Sequence, residues 1–88
     1  MIIYLSRDFI KRYKKLVKHN PKLKEKIKKR LELLKNNLNH TLLKLHKLKG
    51  KRVEDWSISI ETDMRMVFTY VKDGILFVDI GSHDEVYG

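Results

Sequence analysis

Trp56-Ser57-Ile58-Ser59-Ile60-Glu61 and Met64-Arg65-Met66-Val67-Phe68-Thr69-Tyr70-Val71 both repeat with a period of two. In the first, Trp56, Ile58 and Ile60 alternate with Ser57, Ser59 and Glu61; in the second, Met64, Met66, Phe68 and Tyr70 alternate with Arg65, Val67, Thr69 and Val71. A strand turns successive side chains to opposite faces, so this pattern predicts two paired strands with one apolar face. Lys72-Asp73-Gly74 then signals a tight turn, and Ile75 to Ile80 is a nearly continuous apolar run suited to a central strand. Gly81 ends it, and Ser82 to Gly88 reads as a polar tail.

Upstream the period changes. Met1 to Leu5 is a short apolar strand. Ser6 caps a helix with Asp8 in its first turn, and Phe9, Tyr13, Leu16 and Val17 mark its apolar face. His19-Asn20-Pro21 ends that helix and starts the next, Asn20 as N-cap and Pro21 as first helical residue. Leu23, Ile27, Leu31, Leu34 and Leu38 form the second apolar stripe, with lysines between them facing solvent. Residues 41–52 form a polar connection. The expectation is one α+β domain over residues 1–88, in the order β-α-α-β-β-β. Its twisted antiparallel sheet has a two-helix N-terminal hairpin on one face.

The 88 residues hold 20 Lys and Arg against 11 Asp and Glu, a net charge of +9. Eighteen of the 20 basic residues fall between Arg7 and Arg52, so the helical half is basic and the rest nearly neutral. Such a domain suits a polyanion or an acidic protein partner. There are no cysteines, which excludes disulfides and thiolate metal sites. No apolar run approaches the ~20 residues of a membrane span. The N-terminal segment lacks a charged leader, and the protein is expected in the cytoplasm.

The candidate chemistry sits at strand ends and loops. His46 lies in the connection, Asp63 and Arg65 at the start of the second sheet-half strand, and His83 just past the last one. Antiparallel neighbours place the start of one strand beside the end of the next, so Asp63, Arg65 and His83 are expected to converge at one edge. That set suits RNA cleavage. The 2′-hydroxyl is the nucleophile; a base must take its proton, a cation must stabilise the charged phosphate, and an acid must protonate the 5′ leaving oxygen. Histidine serves as acid or base near neutrality, and arginine offers a fork of donors to phosphate. No cofactor is needed. A zinc site from His46, Asp63 and His83 matches no metal-ligand spacing. The plainer alternatives are a surface histidine at 46, an Arg65 ion pair with Asp63 or Glu61, and a chain-end role for His83. Tyr87 can pack against the core, Trp56 and the Met64-Met66-Phe68 row read as core, and His19 and His40 as helix-end residues.

His46-Lys47-Leu48-Lys49-Gly50, Asp55-Trp56, Asp63-Met64-Arg65-Met66-Val67-Phe68 and Asp79-Ile80-Gly81-Ser82-His83-Asp84-Glu85-Val86-Tyr87 together resemble the RelE/ParE superfamily of bacterial toxins, most closely its YafQ branch. The resemblance implies a metal-independent endoribonuclease that cuts ribosome-bound mRNA and is neutralised by an antitoxin in a hetero-oligomer. It matches His46, Asp63 and His83 to catalytic positions and Tyr87 to an aromatic one. His83 is then the general acid, and His46 or Asp63 the base. Two positions depart from the branch: Ser59 replaces a second histidine, and Asp79 an arginine. Arg65 resembles the arginine of the RelE and YoeB branches and would supply the missing cation.

Two other functions fit the same fold. A ParE-like gyrase inhibitor cuts nothing and generally lacks the terminal histidine. A non-catalytic basic module would bind RNA in a salt-sensitive way. On the RNA readings, Lys11, Lys15, Lys18, Lys22, Lys26, Lys29, Lys47, Lys49, Lys51 and Arg52 are the expected phosphate contacts, positioning the protein on mRNA and ribosomal RNA without reading sequence.

Overall fold

A computed structural model describes residues 1–50 and 54–87, with Tyr87 as backbone only. Strand β1 (Ile2–Leu5) leads to helices α1 (Arg7–Val17) and α2 (Pro21–Asn36). Strands β2 (His46–Lys47), β3 (Asp55–Glu61), β4 (Met64–Val71) and β5 (Gly74–Ser82) follow, then a short helix α3 (His83–Tyr87). The expected α+β architecture is present, with two additions. The connection contains a 3-10 turn at Thr41–Leu43 and the two-residue strand β2, and the polar tail is helical.

Both helix starts follow from their caps. The Ser6 hydroxyl accepts the Phe9 N–H at 3.1 Å, and the Asn20 side chain accepts the Leu23 N–H at 3.1 Å with Pro21 opening the helix. His40 plays its expected end role, its Nδ1 accepting the Leu42 N–H at 3.1 Å.

The sheet order is β1-β5-β4-β3-β2. The β2–β3, β3–β4 and β4–β5 pairs are antiparallel, while β1 runs parallel to β5 with Ile2 opposite Gly74. Between β1 and β5 the chain passes through the helix pair and then three strands that alternate in direction, so β5 ends up running the same way as β1. Gly74 is needed for a reason other than its turn. It opens β5 without a positive φ, and a Cβ there would lie 1.9 Å from the Ile2 carbonyl oxygen.

The main core lies between the helices and one sheet face. Phe9, Ile27 and Leu34 meet Ile58, Ile60, Met66, Phe68, Phe77 and Ile80, all nearly inaccessible to solvent. Phe77 and Ile80 are three residues apart yet share this face. A bulge in β5 opposite Val67 and Phe68 inserts Val78 and resets the alternation. As expected, Met66 and Phe68 are core; Trp56 and Met64 pack partly buried against it. The opposite face holds a smaller cluster in which Leu48 and Val86 cover Val67, with Val78 beside them. Among the described residues no helix is long and apolar enough to cross a membrane.

Candidate active site

Strand register brings the distant residues together. His46 of β2 pairs with Ser57 of β3, so the two side chains share a face. Ser57 is inaccessible to solvent, and its hydroxyl accepts the Arg65 Nε–H at 3.0 Å from β4. Arg65 in turn pairs with Gly81, and Met64 with Ser82, so His83 leaves the sheet beside the guanidinium strand. The result is an open cleft of about 680 Å³ lined by Lys44, Leu45, His46, Leu48, Lys49, Arg65 and His83. Of this lining, Leu48 belongs to the small cluster with Val67 and Val86 on the face away from the helix pair.

Arg65 does not pair with Asp63 or Glu61. Its Nη2 donates to the Lys44 carbonyl at 2.9 Å, and Glu61 lies 3.7 Å from Lys26 instead. Both acceptors of the guanidinium are neutral, and among the described residues no carboxylate pairs with it. They orient the fork without cancelling its charge, which stays available to an anion in the cleft. His83 is exposed on α3, with its Nδ1 3.9 Å from the Asp84 carboxylate.

The segment holding His83 is itself tied down. Ser82 and Glu85 form a capping box: the Glu85 carboxylate accepts the Ser82 N–H at 2.9 Å, and the Ser82 hydroxyl accepts the Glu85 N–H at 3.2 Å. Donation to the Glu85 carboxylate from the Ser82 backbone N–H, then from the Ser82 hydroxyl, with a smaller contribution from Arg12, holds that carboxyl below its ordinary range. Arg12 of α1 donates to Asp79 at 2.7 Å and to Glu85 at 3.2 Å, bridging the first helix to both sides of the Gly81-Ser82-His83 corner. Gly81 leaves room for this arrangement, since a Cβ there would crowd the Glu85 side chain at 3.0–3.3 Å.

The family model for YafQ, a bacterial toxin of type II toxin-antitoxin systems, matches residues 1–88. The chain belongs to the YafQ family of type II toxins. Its fold is shared with YafQ from E. coli strain BL21(DE3) at a TM-score of 0.81 and 24% identity, covering 99% of this chain and 98% of that one. It is similar to the YafQ chain of the E. coli DinJ-YafQ toxin-antitoxin complex at a TM-score of 0.78 and 25% identity, covering 99% and 97%. The YoeB/ParE toxin from Agrobacterium tumefaciens has the same fold at a TM-score of 0.77 and 21% identity, covering 94% and 99%. No curated protein matches the chain.

In this YafQ-family toxin the expected site residues are not all equivalent. His46, Arg65 and His83 line one cleft, with Lys49. Asp63 lies in the β3–β4 turn rather than in a strand, exposed and outside the cleft lining. It is one step beyond the Met64–Ser82 pair and so level with His83. Tyr87 ends α3, one turn after His83. Lys47 is in β2, with its ammonium 5.8 Å from the Trp56 ring. Lys11 and Lys15 flank a cleft containing Arg12 and Glu85, and Lys26 and Lys29 another beside Ser59. Lys18 and Lys22 are exposed at the helix junction. Lys51 and Arg52 lie outside the described residues.

Four contributors escaped the sequence reading: Arg12, Lys44, Ser57 and Glu85. Only Glu85 had a local signal, the Ser82-x-x-Glu85 capping box. The two positions expected to depart from the YafQ branch have partners of their own. Asp79 is the partner of Arg12, and Ser59 stands opposite Arg65 in the sheet with its hydroxyl donating to the Glu61 carbonyl at 3.3 Å.

Proposed function

We propose that this toxin is an endoribonuclease that cleaves mRNA on the ribosome, without a metal, through attack of the RNA's own 2′-hydroxyl. The observation behind this reading is the cleft shared by His46, Arg65 and His83, in which the guanidinium keeps neutral partners. His83, exposed at the cleft mouth, gives a proton to the 5′ leaving oxygen. His46 takes the 2′-hydroxyl proton; Asp63, level with His83 in the register, is the alternative base, and the cleft lining favours His46. Arg65 and Lys49 stabilise the charge that grows on the phosphate. Proton transfers balance, since the base gains what the acid loses and the cut leaves a 2′,3′-cyclic phosphate and a free 5′-hydroxyl.

The exposed lysines of α1 and α2 hold the toxin on ribosomal RNA, which places the action in the cytoplasm. An antitoxin binds the toxin in a hetero-oligomer, a reading supported by the likeness to the E. coli DinJ-YafQ toxin-antitoxin complex. Primer extension on translated mRNA after induction tests the reading. Wild type should give new 5′ ends, and His83→Ala should abolish them while RNA binding persists. Growth arrest with intact mRNA and inhibited DNA gyrase would replace the nuclease with a ParE-type activity.

A further inference from the structure

Among the described residues Lys44 is the only non-glycine with a positive φ, at φ 46° and ψ 52°. Its Cβ makes this left-handed conformation unfavourable, and glycine or asparagine adopts it far more readily. The local chain demands the conformation. Lys44 closes the 3-10 turn with its N–H on the Thr41 carbonyl at 3.1 Å, and its own carbonyl then accepts the Arg65 Nη2–H at 2.9 Å. Both contacts are made by the backbone, so the turn and the orientation of Arg65 need no lysine side chain.

Lys44 is shared by two clefts. Lys44 lines the cleft of His46, Arg65 and His83, and also a neighbouring one of about 500 Å³ whose walls include Lys26, Lys29, Arg30 and Ser59. In that second cleft Lys26 is near Glu61 and the Arg30 Nε donates to the Ile60 carbonyl at 3.3 Å. Among the described residues no carboxylate pairs with Lys44, and the residue is exposed. An unpaired cation thus occupies a strained backbone position between two basic clefts. Strain of this kind persists only where the surrounding structure imposes it, and it clusters at functional sites.

We propose that Lys44 binds the RNA phosphate adjacent to the scissile one, so that the single strand leaves the cleft of His46 and His83 across Lys44 toward Lys29. This rests on the nuclease reading and adds to it the course of the substrate. The ligand is a ribonucleotide strand with at least two consecutive phosphodiesters, held through charge and not through its bases.

The test compares wild type, Lys44→Gly, Lys44→Asn and Lys44→Arg as purified full-length toxins. Binding of a single-stranded RNA oligonucleotide carrying 2′-deoxy substitutions, which cannot be cut, is followed across salt concentrations, beside cleavage of translated mRNA and thermal melting. Lys44→Gly and Lys44→Asn should melt at or above the wild-type temperature. Each should also bind about tenfold more weakly, with the log–log salt slope reduced by about 0.7, the contribution of one phosphate contact on a single strand. Lys44→Arg, which keeps the charge, should bind and cut like wild type. An unchanged slope and unchanged cleavage in Lys44→Gly overturn the proposal, as does a lower melting temperature in both Lys44→Gly and Lys44→Asn, which would make the lysine a structural residue. If wild type itself cuts no RNA, the nuclease reading falls, and the salt slope alone then decides whether Lys44 meets a phosphate.

Discussion

Replacing Arg12 with alanine removes a side chain that joins α1 to both sides of the corner bearing His83. The Arg12–Asp79 bond is short, 2.7 Å, and the Asp79 side chain is only 11% exposed, so water replaces the guanidinium poorly. Asp79 keeps the Ile80 N–H at 2.9 Å, which limits the loss. Depriving a mostly buried carboxylate of such a donor costs about 1–3 kcal/mol. The second arm reaches a Glu85 side chain that is 48% exposed, where solvent screening leaves ~0.2–1 kcal/mol. The expected destabilisation is therefore about 2 kcal/mol, which for a domain of this size lowers Tm by roughly 10 °C. Urea and thermal unfolding measure it, and a double-mutant cycle with Asp79→Ala should recover most of the loss as coupling between the two positions. Because the corner also holds the proposed acid, kcat should fall more than KM rises. Arg12→Ala within about 0.5 kcal/mol of wild type, or equal and additive losses in the cycle, would refute the bridge as a structural element.

The remaining predictions use other parts of the fold. Glu85→Gln should destabilise the toxin near neutral pH. The folded carboxyl titrates below its ordinary 4.5, so its contribution is full above that value and disappears as pH falls through the depressed one. Melting curves of the two proteins should accordingly converge in acid. Gly74→Ala places a methyl group against the Ile2 carbonyl, so β1 must shift or detach. A loss of about 1–3 kcal/mol and faster amide exchange along Ile2–Leu5 are expected, and a wild-type exchange pattern would contradict the close approach. Arg65→Ala should slow mRNA cleavage by roughly 10²–10³-fold with little change in Tm, as measured by a timed primer-extension assay. His46→Gln should reduce the rate more than Asp63→Asn does; the reverse order would move the general base to the turn.

Short-range information was sufficient for most elements. Period-two alternation in residues 56–71 and the caps at Ser6 and Asn20 act within a few residues of themselves, and the strands and helices stand where those signals lie. The chemical candidates His46, Arg65 and His83 were legible for a related reason: residue type states what a side chain can do, and strand ends state roughly where it goes. The short strand β2 was not legible, because two residues make no period and pair only once β3 offers an edge. The parallel placement of β1 beside β5 depends on the path of two helices and on the absence of a side chain at Gly74, both properties of the assembled chain. The partner of Asp79 is 67 residues away on α1, and no local pattern encodes a salt bridge over that span. Lys44 shows the same division most clearly. By itself the sequence counts it as one more cation in a basic half; only packing reveals its left-handed backbone, its hold on Arg65 and its place between two clefts.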